Sequence, residues 1–161
     1  MNLKDLVTPQ TVIRDVRAGT KPELFAELAG RAAFLTGLDR MGIFRALLDR
    51  EAIRSTGLGF GAAMPQARFR ELDIPLILFT RLGRPMDFHA LDGQPVDLLF
   101  LLLGPEPATA TYLKLLVSAS RALKEPGIRE RLRASFDVSS IAAALQDGAM
   151  STPLDRSGGM A

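Results

Sequence analysis

Apolar positions recur at helical spacing towards both ends of the chain and run almost unbroken in its middle. Leu24, Phe25, Leu28, Ala32 and Leu35 follow the capping box Thr20-Lys21-Pro22-Glu23 and stop at Gly37. Asp39 caps a second helix that carries Ile43, Phe44, Leu47 and Leu48 and fades near Arg54. Pro75 to Leu82 and Val96 to Leu103 have strand length and Gly or Pro boundaries, and their unbroken hydrophobicity predicts strands covered on both faces. Leu91-Asp92-Gly93-Gln94-Pro95, between them, is turn chemistry. Thr109 caps a helix with Leu113, Leu116, Val117 and Leu123 on one side, ending before Pro126. Gly127 to Ala134 and Asp137 to Gln146 read as two shorter helices. Leu3 to Val7 reads as a helical turn, Thr11 to Val16 as a strand, and Ala62 to Met64 as a short segment closed by Pro65.

Helices at both ends with strands between them predict a single α/β domain over residues 1–147, a central mixed β-sheet flanked on both sides by helices. From Gly148 on, Ser, Thr, Pro and Gly dominate, so 148–161 is expected to be a mobile tail.

The length of 161 residues suits one domain with a proper core. Twenty Lys and Arg against 18 Asp and Glu leave no broad field to hold nucleic acid by phosphate neutralisation. Zero cysteines exclude disulfides, thiolate metal sites and a thiol nucleophile, and the single histidine, His89, excludes multi-histidine metal centres. The chemistry therefore calls for no cofactor and no metal. The longest apolar run, Leu98 to Leu103, falls far short of the roughly 20 residues that span a bilayer, so the expectation is a cytoplasmic protein without membrane insertion.

Three features compete as chemistry. Gly57-Leu58-Gly59-Phe60-Gly61 fails the dinucleotide spacing and follows a helix instead of a strand. His89 lacks a demonstrated orienting carboxylate and reads as a loop residue. Arg121, Lys124, Arg129, Arg131 and Arg133, interrupted by Glu125 and Glu130, read as the solvated face of two helices, with docking of an acidic partner as the functional alternative.

The run Arg50-Glu51-Ala52-Ile53-Arg54-Ser55-Thr56-Gly57-Leu58-Gly59-Phe60-Gly61-Ala62-Ala63-Met64-Pro65 resembles the signature of the fructose/mannitol-type enzyme IIA domains of the bacterial phosphotransferase system, nearest their nitrogen-regulatory branch. Phe88-His89-Ala90-Leu91-Asp92-Gly93-Gln94-Pro95-Val96-Asp97-Leu98-Leu99-Phe100 resembles a second block of the same family. The resemblance covers roughly residues 1–147. It implies a phosphoacceptor histidine after the proline, where this chain has Gln66. It implies a second histidine within a Thr-His-Leu-His-like stretch, here Thr111-Tyr112-Leu113-Lys114, with Lys114 expected in its place. The family arginine matches Arg50, and His89 matches neither active position.

Neutral imidazole attacks through a ring lone pair, whereas an amide nitrogen has its lone pair delocalised into the carbonyl. A lysine near its ordinary pKa of about 10.4 is protonated and equally unable to accept. The resemblance thus implies a degenerate enzyme IIA-like protein that regulates by binding protein partners: a regulatory target and, as a further candidate, a histidine phosphocarrier protein. Arg50, Gln66 and Lys114 are the expected site, with Ser55, Thr56, Gly57 and Gly59 of the glycine stretch beside them. Two alternatives stay open. The old pocket binds an anion or phosphometabolite through Arg50, Gln66, Lys114 and backbone donors of Gly57 to Gly61, or Ser55, Thr56 or His89 serves as a non-standard phosphoryl acceptor.

Overall fold

The computed structural model describes residues 2–150. After α1 (Leu3–Leu6) and a 3-10 turn, β1 (Val12–Val16) leads into α2 (Lys21–Thr36) and α3 (Arg40–Ile53). Four strands follow in order: β2 (Gly57–Gly59), β3 (Ala62–Ala63), β4 (Gln66–Phe69) and β5 (Leu76–Met86). Then come β6 (Val96–Pro105), α4 (Ala110–Lys124), α5 (Pro126–Ala134) and α6 (Val138–Met150). Gly148 to Met150, where the tail was expected to begin, continue α6, and the remainder of that tail lies outside the described residues.

The caps act much as the sequence dictates. Thr20 Oγ1 accepts the Glu23 N–H, while the Glu23 carboxylate reaches back to the N–H of Gly19 instead of Thr20. Asp39 accepts from Gly42 and Thr109 from Tyr112, fixing where α3 and α4 begin.

The sheet order is β1-β5-β6-β3-β2, with β4 also on β6. β5 pairs antiparallel to β6, whereas β3 and β4 pair parallel along its other edge, one beyond the other. Both faces of β6 are buried, and alternate residues feed two separate cores. Leu98, Phe100 and Leu102 pack with α4, α5 and α6, while Leu99, Leu101 and Leu103 pack with α2 and α3. This is the arrangement that an unbroken apolar strand requires.

β2 and β4 are strands that periodicity misses. β2 is glycine-rich, and β4 is short, half-polar and behind a proline. Pro65 still supplies its carbonyl to the Leu102 N–H at 3.0 Å, which starts the parallel register Gln66↔Leu102.

The turn of the β2–β3 hairpin puts Gly59, Phe60 and Gly61 at φ 91°, 57° and 80°, the left-handed region that disfavours Phe. The Phe60 N–H donates to Asp92 Oδ2 at 2.9 Å and its carbonyl accepts from Arg133 Nη2 at 3.0 Å. Arg133 also clamps Asp97 with contacts of 2.8 and 2.9 Å, and the Arg129 guanidinium lies 4.7 Å from the Phe60 ring centroid. The basic cluster is therefore not a uniformly solvated face: Arg129 is buried and Arg133 is committed to Asp97. The N–H groups of Phe60 and then Gln94 hold the Asp92 carboxyl below the usual carboxylate range.

At the other side of the sheet, among the described residues, β1 pairs only with β5. Its register shifts between Ile13 and Val16, Asp15 sits at φ 57°, and Asp15 is held by Arg14 at 3.0 Å and Arg81 at 3.3 Å. Arg81 also donates to the carbonyls of Leu132 and Ser135, tying the end of α5 to β5.

Leu101 is fully buried, so Leu101→Ala should lower the unfolding free energy by about 2–5 kcal/mol in a denaturant titration. The exposed Leu113→Ser should change it by less than about 0.5 kcal/mol.

Candidate functional site

Arg50 stands in the last turn of α3, and the chain beyond it is pinned by its neighbour Glu51. The Glu51 carboxylate, almost wholly buried, accepts the Thr56 N–H at 3.1 Å, the Thr56 hydroxyl, and Lys21 Nζ at 2.9 Å. Lys21 in turn lies 4.8 Å from the Phe88 ring centroid. The Ser55 hydroxyl donates to the Phe88 carbonyl at 2.8 Å and accepts the Gly57 N–H at 3.1 Å. The Met64 N–H returns to the Thr56 carbonyl at 3.0 Å and closes the hairpin. Glu, Ser and Thr in this stretch are thus structural: they set the hairpin that delivers Pro65 and Gln66 to the end of β6.

Gln66 opens onto a depression of about 500 Å³ between α3, β4 and α4. α3 supplies Ala46, Asp49, Arg50 and Ile53, β4 supplies Gln66, Ala67 and Arg68, and α4 supplies Tyr112, Leu113 and Leu116, with Glu106 between the last two elements. Gln66 Nε2 makes a long contact of 3.4 Å to the Met64 carbonyl. Arg50 Nη1 donates to the Arg54 carbonyl at 3.0 Å, and Arg68 Nε pairs with Glu106 at 3.2 Å across an exposed rim.

The floor is Tyr112. Its ring lies so close to β6 that a Cβ on Gly104 would meet it at 2.3 Å, so only glycine fits beneath it. Tyr112 is 1% exposed and its hydroxyl has no hydrogen-bond partner. Burial pushes its pKa up to about 12, with Arg68 pulling the other way. The phenol is accordingly a protonated donor at neutral pH.

The structure therefore brings Arg50 and Gln66 together and leaves Lys114 out. Two residues past Tyr112, at about 100° per residue, Lys114 points some 200° round the helix and is exposed. The phase of α4 explains the difference. Tyr112, Leu115, Ala119, Ala122 and Leu123 face the core, whereas Leu113 and Val117, expected on the buried side, are about half exposed. Tyr112 and Arg68 are the site residues that sequence reasoning misses; the signal for Tyr112 was its i, i+3, i+7 relation to Leu115 and Ala119. Ser55, Thr56, Gly57 and Gly59 do not line the depression. His89 lies outside it too, exposed at φ 55°, with Nε2 3.7 Å from Asp87. Among the described residues no group of three His, Cys, Asp or Glu side chains is placed to hold a metal ion. No described helix is long and apolar enough to cross a membrane.

The chain belongs to the EIIA 2 family of the phosphoenolpyruvate-dependent sugar phosphotransferase system, whose model matches residues 5–148. It is 42% identical over 145 residues to a nitrogen regulatory protein of Bradyrhizobium diazoefficiens, covering 90% of this chain and 95% of that one. Its fold is similar to the crystal structure of nitrogen regulatory protein IIA-Ntr from Neisseria meningitidis, with a TM-score of 0.84 and 31% identity over 89% of this chain and 98% of that one. Enzyme IIAMTL of Escherichia coli, solved in complex with phosphorylated enzyme IIBMTL, shares the fold at a TM-score of 0.71 and 20% identity, covering 86% and 95% of the two chains.

Tyr112 is the sole tyrosine and the chain has no tryptophan, so its ionisation can be followed by tyrosinate absorbance. The folded protein should titrate near pH 12 and the urea-unfolded chain near pH 10. The raised value means that this contribution to stability is whole below the unfolded pKa and is lost as pH rises from 10 towards 12.

Proposed function

We propose that this protein is an EIIA-like regulator of the nitrogen-regulatory type that has lost phosphoryl-carrier chemistry and acts in the cytoplasm by binding a protein partner. The observation that carries this reading is Gln66 at the start of β4, directly after Pro65, where the family signature implies the acceptor histidine. An amide there can hydrogen-bond as a neutral imidazole does but cannot form a phosphoramidate bond. A phosphorylated histidine would add about two negative charges, so Gln66 holds the site in the equivalent of its unphosphorylated state.

Protein binding is supported by what surrounds the amide. Ile53, Leu113 and Val117 are exposed apolar side chains, Ile53 and Leu113 on the walls of the depression and Val117 next to Leu116 on α4. Arg50 and Arg68 line the same depression, and an apolar patch with arginines is interface chemistry. The complex formed by enzyme IIAMTL supports the same use of this fold. The non-standard acceptors fare poorly: the Ser55 and Thr56 hydroxyls are both engaged as donors, and His89 does not line the depression.

Incubation with a phosphorylated histidine phosphocarrier, read by intact mass, should leave this protein unchanged. A gain of one phosphoryl group would overturn the reading. Gln66→His alone should accept phosphate weakly, because Tyr112 still fills the floor beside it. Combining Gln66→His with Tyr112→His should raise acceptance further, and adding Lys114→His to Gln66→His should not. The same mass assay distinguishes the three.

A further inference from the structure

We infer that the cleft at the carboxyl end of β1 is a binding site for a small amino dicarboxylate, a molecule with two carboxylate groups and one ammonium group. The cleft has a volume of about 740 Å³ and is formed by β1, the loop that enters α2, and β5. Asp15, Arg17, Gly19, Glu23, Gly83 and Arg84 line it, and it shares no lining residue with the depression around Gln66. Crevices at strand carboxyl ends are where open α/β sheets take their ligands. The volume is that of a small-molecule site.

The charges of this cleft are left open. Among the described residues, Arg17 and Arg84 have neither a hydrogen-bond nor an ion-pair partner. Arg14 and Arg81, by contrast, both sit on Asp15, at 3.0 and 3.3 Å, so the Asp15 charge is already compensated. Glu23 Oε2 accepts the Gly19 N–H at 3.1 Å, and among the described residues its carboxylate meets no cation. Two guanidiniums without anions and one carboxylate without a cation therefore line one space. A guanidinium pairs with a carboxylate through two parallel hydrogen bonds, and a carboxylate with a single backbone donor keeps acceptor sites for an ammonium group. The complement of this set is two carboxylates and one ammonium. Val16 pairs with Leu82, so Arg17 and Arg84 follow one and two residues later on neighbouring segments, within reach of one short ligand.

Two glycines keep the cleft open. Neither Gly19 nor Gly83 has the positive φ that favours glycine, and a Cβ would meet nothing closer than 4.0 Å at the first and 3.8 Å at the second. Backbone conformation and packing would accept a side chain at both positions. The space such a side chain would take is the space a ligand needs. The lining charges are exposed, and exposed ion pairs contribute little singly, so binding in about the millimolar range is expected.

The test titrates the full chain with L-glutamate and, separately, with glutarate, L-alanine and inorganic phosphate at neutral pH and equal ionic strength. Nuclear magnetic resonance follows the Gly19 and Gly83 amides, the Arg17 and Arg84 Nε–H groups and, for the other depression, the Gln66 side-chain amide. Saturable shifts at the glycines and arginines with L-glutamate are expected, and the other ligands should bind about fivefold more weakly. Arg84→Gln should weaken L-glutamate about fivefold. Glu23→Gln, whose amide oxygen can still accept the Gly19 N–H, should weaken L-glutamate by a similar factor and leave glutarate unchanged. Gly83→Val fills the cleft with a residue at home in a strand and should abolish binding while thermal unfolding stays cooperative. The inference is overturned by an absence of saturable shifts at Arg17 and Arg84, or by shifts confined to Gln66. Glutarate or phosphate binding as tightly as L-glutamate, or full affinity in Gly83→Val or Arg84→Gln, would overturn it equally.

Discussion

Six consecutive apolar residues on one strand organise this molecule. Leu98 to Leu103 are buried on both faces of β6 and hydrogen-bonded along both its edges, so β6 has to be central and must have helices above and below. β5 satisfies one edge over its length, while two short strands, β3 and β4, share the other. That division places the candidate site: the break between β3 and β4 is Met64 and Pro65, and the chain emerges from it with Gln66 in register with Leu102. The position of the amide is thus a by-product of how the backbone groups of β6 are satisfied.

Much of this was legible. The two long strands, the caps at Thr20, Asp39 and Thr109, and both helix pairs follow from periodicity and stop signals, because these elements bury one clear face or two. β2 and β4 were not legible, since three and four residues carry no period and their strand character comes from the strands they pair with, β3 for β2 and β6 for β4. The phase of α4 failed for a different reason. Leu113, Leu116 and Val117 form an apolar stripe as regular as the buried one, and only packing against β6 decides which of them faces inward. That choice moves the site from Lys114 to Tyr112. Gln66 and Arg50 line the same depression because each is anchored by neighbours in the chain.

Tyr112 and Gly104 form a matched pair. The ring occupies the space that any side chain at residue 104 would need, and β4 and α4 meet across it. A floor packed this tightly leaves no room for a side chain at residue 104, so the groups that vary around the depression are its upper members: Gln66, the guanidiniums and the exposed leucine and isoleucine.

The two ends of the strand order, β1 and β2, face the same hazard in different ways. An exposed strand edge is a template on which another chain can add, and long flat edges invite fibrous self-assembly. The hairpin side is short and bolted to α5 through Phe60, Arg129 and Arg133. The β1 side is broken instead: the register slip between Ile13 and Val16, the left-handed backbone at Asp15 and the charged Arg14–Asp15 pair leave no run of evenly spaced hydrogen-bonding groups. A protein that exposes apolar side chains elsewhere on its surface is safer at high concentration when its strand edges are irregular, and the register break at Asp15 makes the β1 edge a poor template for self-assembly.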